Sequence, residues 1–92
     1  MKKYQVRILP TIDLQHFSPT LKKSIRSALD ELSLNPYLGK ELRSPLTGLR
    51  SYRVARFRII YKIVLKKIEI EVIEIEERKI VYEKVTKALS LH

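Results

Sequence analysis

A chain of 92 residues sits just under the ~100–150 residues typical of one domain, so a single domain spanning 1–92 is expected, with a thin stability margin. Lys and Arg number 19 against 10 Asp and Glu, and the resulting +9 favours a polyanionic partner, either nucleic acid or an acidic protein surface. The absence of cysteine excludes disulfides, thiol chemistry and cysteine-ligated zinc. Apolar runs that stop at three residues exclude a membrane span. The opening MKKYQVRILP lacks the apolar stretch of a secretory signal, so the expected location is the cytoplasm.

Tyr4, Val6 and Ile8 alternate with Lys3, Gln5 and Arg7, which predicts a half-buried strand ended by Pro10. Ile12 to Phe17 is expected to form one short helical turn. Ser18-Pro19 then reads as an N-cap with proline in the first helical position. Leu21, Ile25, Ala28, Leu29 and Leu32 follow as one apolar stripe at helical period, and Asn35-Pro36 stops the helix because a residue before proline avoids helical geometry.

Pro36, Gly39, Pro45 and Gly48 make 36–48 read as a long loop, with strands resuming at Tyr52. Phe57, Ile59, Tyr61, Ile63 and Leu65 share one face of the next strand, and Arg58, Ile60, Lys62 and Val64 share the other. Apolar residues on both sides predict a central strand covered on one face and partly on its second. Lys66-Lys67 marks a tight reversal. Ile68, Ile70 and Val72 alternate with Glu69 and Glu71 until Val72-Ile73 breaks the phase, as a bulge or burial on both faces would require. Val81, Val85, Ala88 and Leu89 fit a short C-terminal helix. Helices and strands that segregate in this way indicate an α+β fold: an N-terminal strand, one or two helices, a three- to four-stranded, mainly antiparallel sheet and a last helix.

Between Arg50 and Lys67 the chain carries seven cations and no acid, and Glu69, Glu71, Glu74, Glu76 and Glu77 crowd the strand that follows. Across a hairpin at Lys66-Lys67, Lys66 can pair with Glu69 and Lys62 with Glu71 or Glu74, at roughly 0.2–1 kcal/mol each. Arg50, Arg53, Arg56 and Arg58 lie beyond reach of these acids. Interleaved with Tyr52 and Phe57, they suit phosphate and base contacts, or else form a solvated sheet face. His16 and His92 have no second ligand at metal-binding spacing, so no metal site is expected. There is no glycine-rich phosphate loop and no nucleophile elbow, which leaves Arg, Lys, Tyr and Glu for any chemistry.

The segments NPYLGKELRSPLTG, GLRSYRVARFRIIYKI and VIEIEERKIVYEKV resemble, in order and spacing, the RelE/ParE superfamily of toxins from type II toxin–antitoxin pairs. The resemblance runs from the first strand to Tyr82. It implies a ribosome-dependent messenger RNA endoribonuclease in which a ribose 2′-hydroxyl attacks the adjacent phosphorus, leaving a 2′,3′-cyclic phosphate and a free 5′-hydroxyl. Such a reaction needs a base for the 2′-OH, cations around the phosphorane and an acid for the departing oxygen. Carried over by position, Arg58 contacts phosphate and Arg78 stabilises the transition state and donates a proton. Tyr82 stacks on or orients the target nucleotide, and Arg53 stands where a lysine lies near the 2′-OH. Lys40, Arg43, Arg50 and Arg56 are the further candidate RNA contacts. The implied partners are a cognate antitoxin, the ribosome and mRNA, with no cofactor and no membrane.

Other readings of these residues stand beside the implied ones: Tyr82 can seat the last helix, and Arg78 can pair with Glu74 or Glu76. Two departures bear on the chemistry. Ala55 occupies a site where the family commonly has lysine, and Glu76-Glu77 replaces a frequent Gly-His or Gly-Lys. Arginine is a poor base because its pKa exceeds ~12. Glu77 is the tentative base if partial burial raises its proton affinity, yet two carboxylates beside the site would also repel phosphate. The alternatives are therefore a gyrase-poisoning ParE-like toxin or a catalytically weakened member that only binds an antitoxin or RNA.

Overall fold

The computed structural model describes residues 3–90, except for the side chains at positions 78, 79, 81, 82, 88 and 90. Five strands form one sheet in the order β1-β5-β4-β3-β2, where β1 is Gln5–Ile8, β2 Lys40–Glu41, β3 Arg50–Val54, β4 Phe57–Val64 and β5 Glu69–Glu77. The fold is α+β. The sheet is wider than expected because a two-residue strand forms inside the predicted loop, and β3 starts two residues before Tyr52. β1 runs parallel to β5, with Val6 opposite Ile70 and Ile8 opposite Val72, while the remaining pairs are antiparallel.

Helix α1, Pro19–Leu34, begins and ends where its signals lie. The Ser18 hydroxyl accepts the Leu21 N–H at 3.2 Å, and Asn35 closes the last turn through its own N–H to the Glu31 carbonyl at 3.0 Å. The expected helical turn at Ile12–Phe17 does not form. That segment makes isolated turns instead, closed by Ile12 N–H to Leu9 and Phe17 N–H to Leu14, because its job is to drop Phe17 into the core.

α1 lies on the sheet face that carries Ile59, Tyr61, Ile70, Val72 and Ile75, and Ile25, Ala28, Leu29 and Leu32 pack there. Burying side chains of this size is worth about 1.5–3 kcal/mol each. The opposite face carries a smaller cluster of Leu46, Leu49, Ile60 and Val85, the last from helix α2, Arg78–Ser90. β4 is thus the central strand, with Ile59 and Ile60 both fully buried on opposite sides.

The phase break at Val72-Ile73 is a bulge. Ile60 faces Glu74 while Tyr61 faces Val72, so Ile73 is the extra residue and joins the second cluster. The reversal at Leu65–Lys67 is one 3₁₀ turn closed by Ile68 in a left-handed conformation, φ 49°. Lys62 reaches Glu71 at 3.8 Å, and Glu71 also accepts from Arg7 at 2.9 Å. Lys66 makes no ion pair with Glu69 among the described residues.

Candidate functional site

β3 and β4 are joined by the two-residue turn Ala55-Arg56, with Ala55 left-handed at φ 54°. This hairpin sets Arg53 directly opposite Arg58, and the β4–β5 ladder sets Arg58 directly opposite Glu76. Directly paired residues share a face, so Arg53, Arg58 and Glu76 form one row across three strands, on the side away from α1. Arg53 is exposed and turns its Nε to the Ala55 carbonyl at 3.2 Å, while Arg58 is half-buried. Neither arginine has an ion pair among the described residues. Two guanidinium groups held opposite one another repel, and an anion between them removes that cost.

The negative end of the row is tied down from α2. Because β5 runs straight into α2, the helix folds back over the strand, and Lys84 Nζ donates to the Glu76 carboxylate. This hydrogen bond raises the Lys84 pKa above its usual value, with the charges of Glu76 and Glu74 adding to it and burial opposing. Lys84 therefore stays an ammonium throughout the neutral range. Sequence reasoning gave no role to Lys84, although it stands two residues beyond Tyr82 in the last of the three quoted segments. The available signal was a pair of acids on a strand that feeds directly into a basic helix.

Other candidates are dispersed. Glu77 pairs with Phe57, so strand alternation places it on the α1 face, out of phase with the row. Arg56 is exposed at the hairpin tip. Lys40, opposite Ser51, belongs to the face of the row at the sheet edge, and Arg43 is exposed in the loop beyond β2. Arg50 points the other way, at the far end of β3, with its guanidinium 5.2 Å from the Tyr37 ring centre. α2 starts at Arg78, but the side chains of Arg78 and Tyr82 lie outside the described residues, as does His92. Among the described residues no cluster of His, Cys, Asp and Glu could hold a metal ion, and no helix is long and apolar enough to cross a membrane.

The aromatic residues expected between the arginines are not on their surface. Phe57 packs edge-on to Phe17 with ring centres 5.3 Å apart, and Tyr52 donates its hydroxyl to Glu31 of α1 at 2.6 Å. Tyr52, Glu31, Lys23, Ser27 and Arg53 line an open cleft of about 390 Å³ between α1 and the free edge of β3. The Glu31 hydrogen bond, with burial and the carboxylate charge behind it, pushes the Tyr52 hydroxyl above its ordinary pKa.

Residues 7–82 match a protein-family model described as the ParE toxin of the type II toxin–antitoxin system parDE. Similar solved structures include the RelBE2 toxin–antitoxin complex of Mycobacterium tuberculosis, with a TM-score of 0.77, 28% identity, and coverage of 85% of this chain and 94% of that one. The archaeal RelE–RelB complex of Pyrococcus horikoshii aligns with a TM-score of 0.68 at 21% identity, covering 83% and 96%. The intact E. coli RelBE complex aligns at 0.70 and 13% identity, covering 80% and 95%. The last two speak to the fold alone. No curated protein sequence matches this chain.

Proposed function

Because this chain belongs to the ParE toxin family of type II toxin–antitoxin systems, we propose that it is a toxin of RelE-like activity, held silent by a cognate antitoxin and cutting mRNA on the ribosome. The observation that carries this reading is the register of Arg53, Arg58 and Glu76, which offers two permanent cations and one carboxylate on a single face. Arg58 and Arg53 hold the non-bridging oxygens of the scissile phosphate and oppose the charge that builds on the phosphorane. Glu76, rather than Glu77, takes the 2′-hydroxyl proton as O2′ bonds to phosphorus. The P–O5′ bond breaks, and the Lys84 ammonium passes a proton to the leaving 5′-oxygen. The products are a 2′,3′-cyclic phosphate and a 5′-hydroxyl, and the proton on Glu76 returns to Lys84 through their existing hydrogen bond. Tyr82 keeps the nucleotide-stacking role the family resemblance implies and Arg78 its transition-state stabilisation, while the proton donation implied for Arg78 is assigned here to Lys84.

The antitoxin reading draws on the similar structures, which are toxin–antitoxin complexes, and on the +9 charge, which favours an acidic segment that orders on binding. The test is cleavage of a defined transcript on programmed ribosomes by wild type and Arg58→Ala. Cut ends with wild type that vanish with the variant support the reading, and intact transcript with both sinks it.

A second reading has its own observation. Glu76 stands beside Arg58 and is already neutralised by Lys84, an arrangement that also suits a protein-binding surface rather than a phosphate cradle. On that reading the chain poisons DNA gyrase through protein contacts. Inhibition of supercoiling by a protein that leaves ribosome-bound transcripts whole decides for it.

A further inference from the structure

The cleft between α1 and β3 follows an open sheet edge, because β2 covers β3 only at Arg50 and Ser51. Lys23, Ser27 and Glu31 stand on successive turns of one face of α1 along this cleft, with Ser24 beside them. Its two ends differ. At one end the Tyr52 hydroxyl, donating at 2.6 Å, fixes one oxygen of the Glu31 carboxylate, and the other oxygen has no hydrogen-bond partner among the described residues. At the other end, Phe57 against Phe17 brings the β3–β4 turn to the start of α1, and Arg53 bends towards that turn through its Nε bond to the Ala55 carbonyl. Arg53 and Lys23 therefore share this end, and the eight residues from Lys23 to Glu31 span about 12 Å of helix axis. Neither cation pairs with Glu31 or with any other acid among the described residues. The volume of about 390 Å³ falls in the ~300–1,000 Å³ range of small-molecule sites. A polar cleft that holds two cations at one end and a fixed carboxylate at the other suits a ligand with an anionic end and a hydrogen-donating end.

We propose that this cleft binds a guanine nucleotide, with its phosphate on Lys23 and Arg53 and the edge of its base on Glu31. A carboxylate accepts and does not donate, so it selects among bases by their donors. Guanine alone carries two adjacent donors on its Watson–Crick edge, N1–H and the 2-amino group, and these meet both carboxylate oxygens in a charge-assisted pair. Adenine and cytosine set a ring-nitrogen acceptor beside their amino group, and uracil flanks its N–H with two carbonyls, so each brings a lone pair against Glu31. Tyr52 takes one lone pair of its carboxylate oxygen and leaves a second for the base. Ser24 and Ser27 place hydroxyls between the two ends, where a ribose lies. The occupant is either a free nucleotide or one residue of an RNA strand that continues over the β3 edge from Arg53 to Arg58. The assignment does not depend on the Arg53–Arg58–Glu76 row cutting RNA.

The test is NMR titration of the full chain with GMP, IMP and AMP. GMP should bind roughly tenfold more tightly than AMP, as for one bidentate base contact, with IMP, which lacks the 2-amino group, between them. Shifts should centre on Ser27, Glu31 and Tyr52. Glu31→Gln should bring GMP to within about twofold of AMP, whereas Lys23→Ala should weaken both by the same factor. Arg26→Ala removes an exposed cation of α1 outside the cleft and should leave both affinities within about twofold. If Glu31→Gln melts early, Ser27→Leu carries the comparison: it fills the cleft from an exposed helix position, keeps every charge and should abolish binding. A 2′-O-methyl RNA trinucleotide with guanine at its centre separates the two sources. Binding tighter than GMP that falls back to the GMP value in Arg58→Ala identifies a strand, and binding equal to GMP identifies the free nucleotide. No binding of GMP, equal affinity for GMP and AMP, discrimination that survives Glu31→Gln, or GMP shifts confined to Arg58 and Glu76 each overturns the proposal. Transcript cleavage on ribosomes is a separate readout, so the nucleotide site and the nuclease reading can each fail alone.

Discussion

Tyr61 and Gly39 are locked together: the buried Tyr61 hydroxyl accepts the Gly39 N–H at 2.9 Å and donates to the Pro36 carbonyl at 2.6 Å. One side chain in the centre of β4 thereby satisfies two backbone groups of the segment that leaves α1. The contact is so close that a Cβ on Gly39 would stand 2.3 Å from that hydroxyl. Tyr61→Phe strands a buried donor and a buried acceptor and is expected to cost about 1–3 kcal/mol in urea unfolding. Gly39→Ala should cost at least as much, since the clash forces Tyr61 off its rotamer. The double variant Gly39→Ala, Tyr61→Phe should be somewhat less destabilised than the sum of the two, because phenylalanine lacks the nearest clashing atom, while its ring carbons at 2.8 and 2.9 Å keep part of the clash. Additive losses would show that the hydroxyl is not the point of contact.

A second hydroxyl ties α1 to β3. Tyr52 donates to Glu31, and that bond, ahead of burial and the carboxylate charge, raises the Tyr52 pKa above its ordinary 10.0. The unfolded chain therefore releases this proton at a lower pH than the folded one. The stabilisation from the pair is whole below the ordinary tyrosine value and is lost as pH climbs through the raised folded value. Ultraviolet phenolate titration should show two tyrosines lagging behind free tyrosine, Tyr52 and Tyr61, the latter pushed up by its burial, and only the Tyr52 lag should depend on Glu31. In Glu31→Gln the lag should shrink, and the decline of stability at alkaline pH should become shallower. An unchanged titration in that variant would remove Glu31 as the cause.

Much of this framework is legible in the residues alone, for reasons that are local. Ser18-Pro19 and Asn35-Pro36 fix α1 because capping and the pre-proline restriction act within a few residues. The two-faced pattern of β4 and the broken phase at Val72-Ile73 follow from the two-residue repeat of a strand. The parallel pairing of β1 with β5 is not legible, because it joins segments more than sixty residues apart and leaves no turn signature. The arginine group illustrates a different failure. Arg50, Arg53, Arg56 and Arg58 are neighbours along the chain, but alternation sends Arg50 to the α1 face, and the hairpin brings only Arg53 and Arg58 into register. Tyr52 and Phe57 obey the same alternation and go to the core side. Lys84 escapes notice because its partner Glu76 is defined only by how α2 folds back on β5.

The smaller cluster holding α2 to the sheet rests on Val85 against Ile60. Val85 is 4% exposed and is the buried anchor of α2 among its described side chains. Val85→Ala removes two methyl groups, and on the usual scale for buried methyl deletion it should lower stability by about 1–3 kcal/mol. Because α2 packs on β4 and β5 and its buried Val85 belongs to the cluster on the sheet face opposite α1, the loss should be concentrated in faster amide exchange along α2 and the Leu46–Leu49 loop. Exchange that speeds up equally in α1 would mean that the two faces unfold as one unit, against the separate clusters.

The row Arg53, Arg58 and Glu76 makes a residue-by-residue claim that sets it apart from a generic basic surface. Arg58 is half-buried, in register with both Arg53 and Glu76, and removing a preorganised cation of this kind typically costs ~10²–10³ in rate. Arg58→Ala should lose transcript cleavage on that scale, Arg53→Ala less, and Arg43→Ala, out on the loop, only what general electrostatic attraction contributes. Glu76→Gln should slow the reaction and bring the Lys84 pKa down towards the ordinary lysine value, because its main raising influence is gone. Glu77→Gln, one position out of phase on the other face, should leave the rate within about threefold of wild type. Cleavage assays should be run beside NMR titration of the Lys84 ammonium. If Glu77→Gln proves as damaging as Glu76→Gln, the alternation of β5 does not decide which carboxylate serves the site, and the proton acceptor has to be sought on the α1 side of the hairpin.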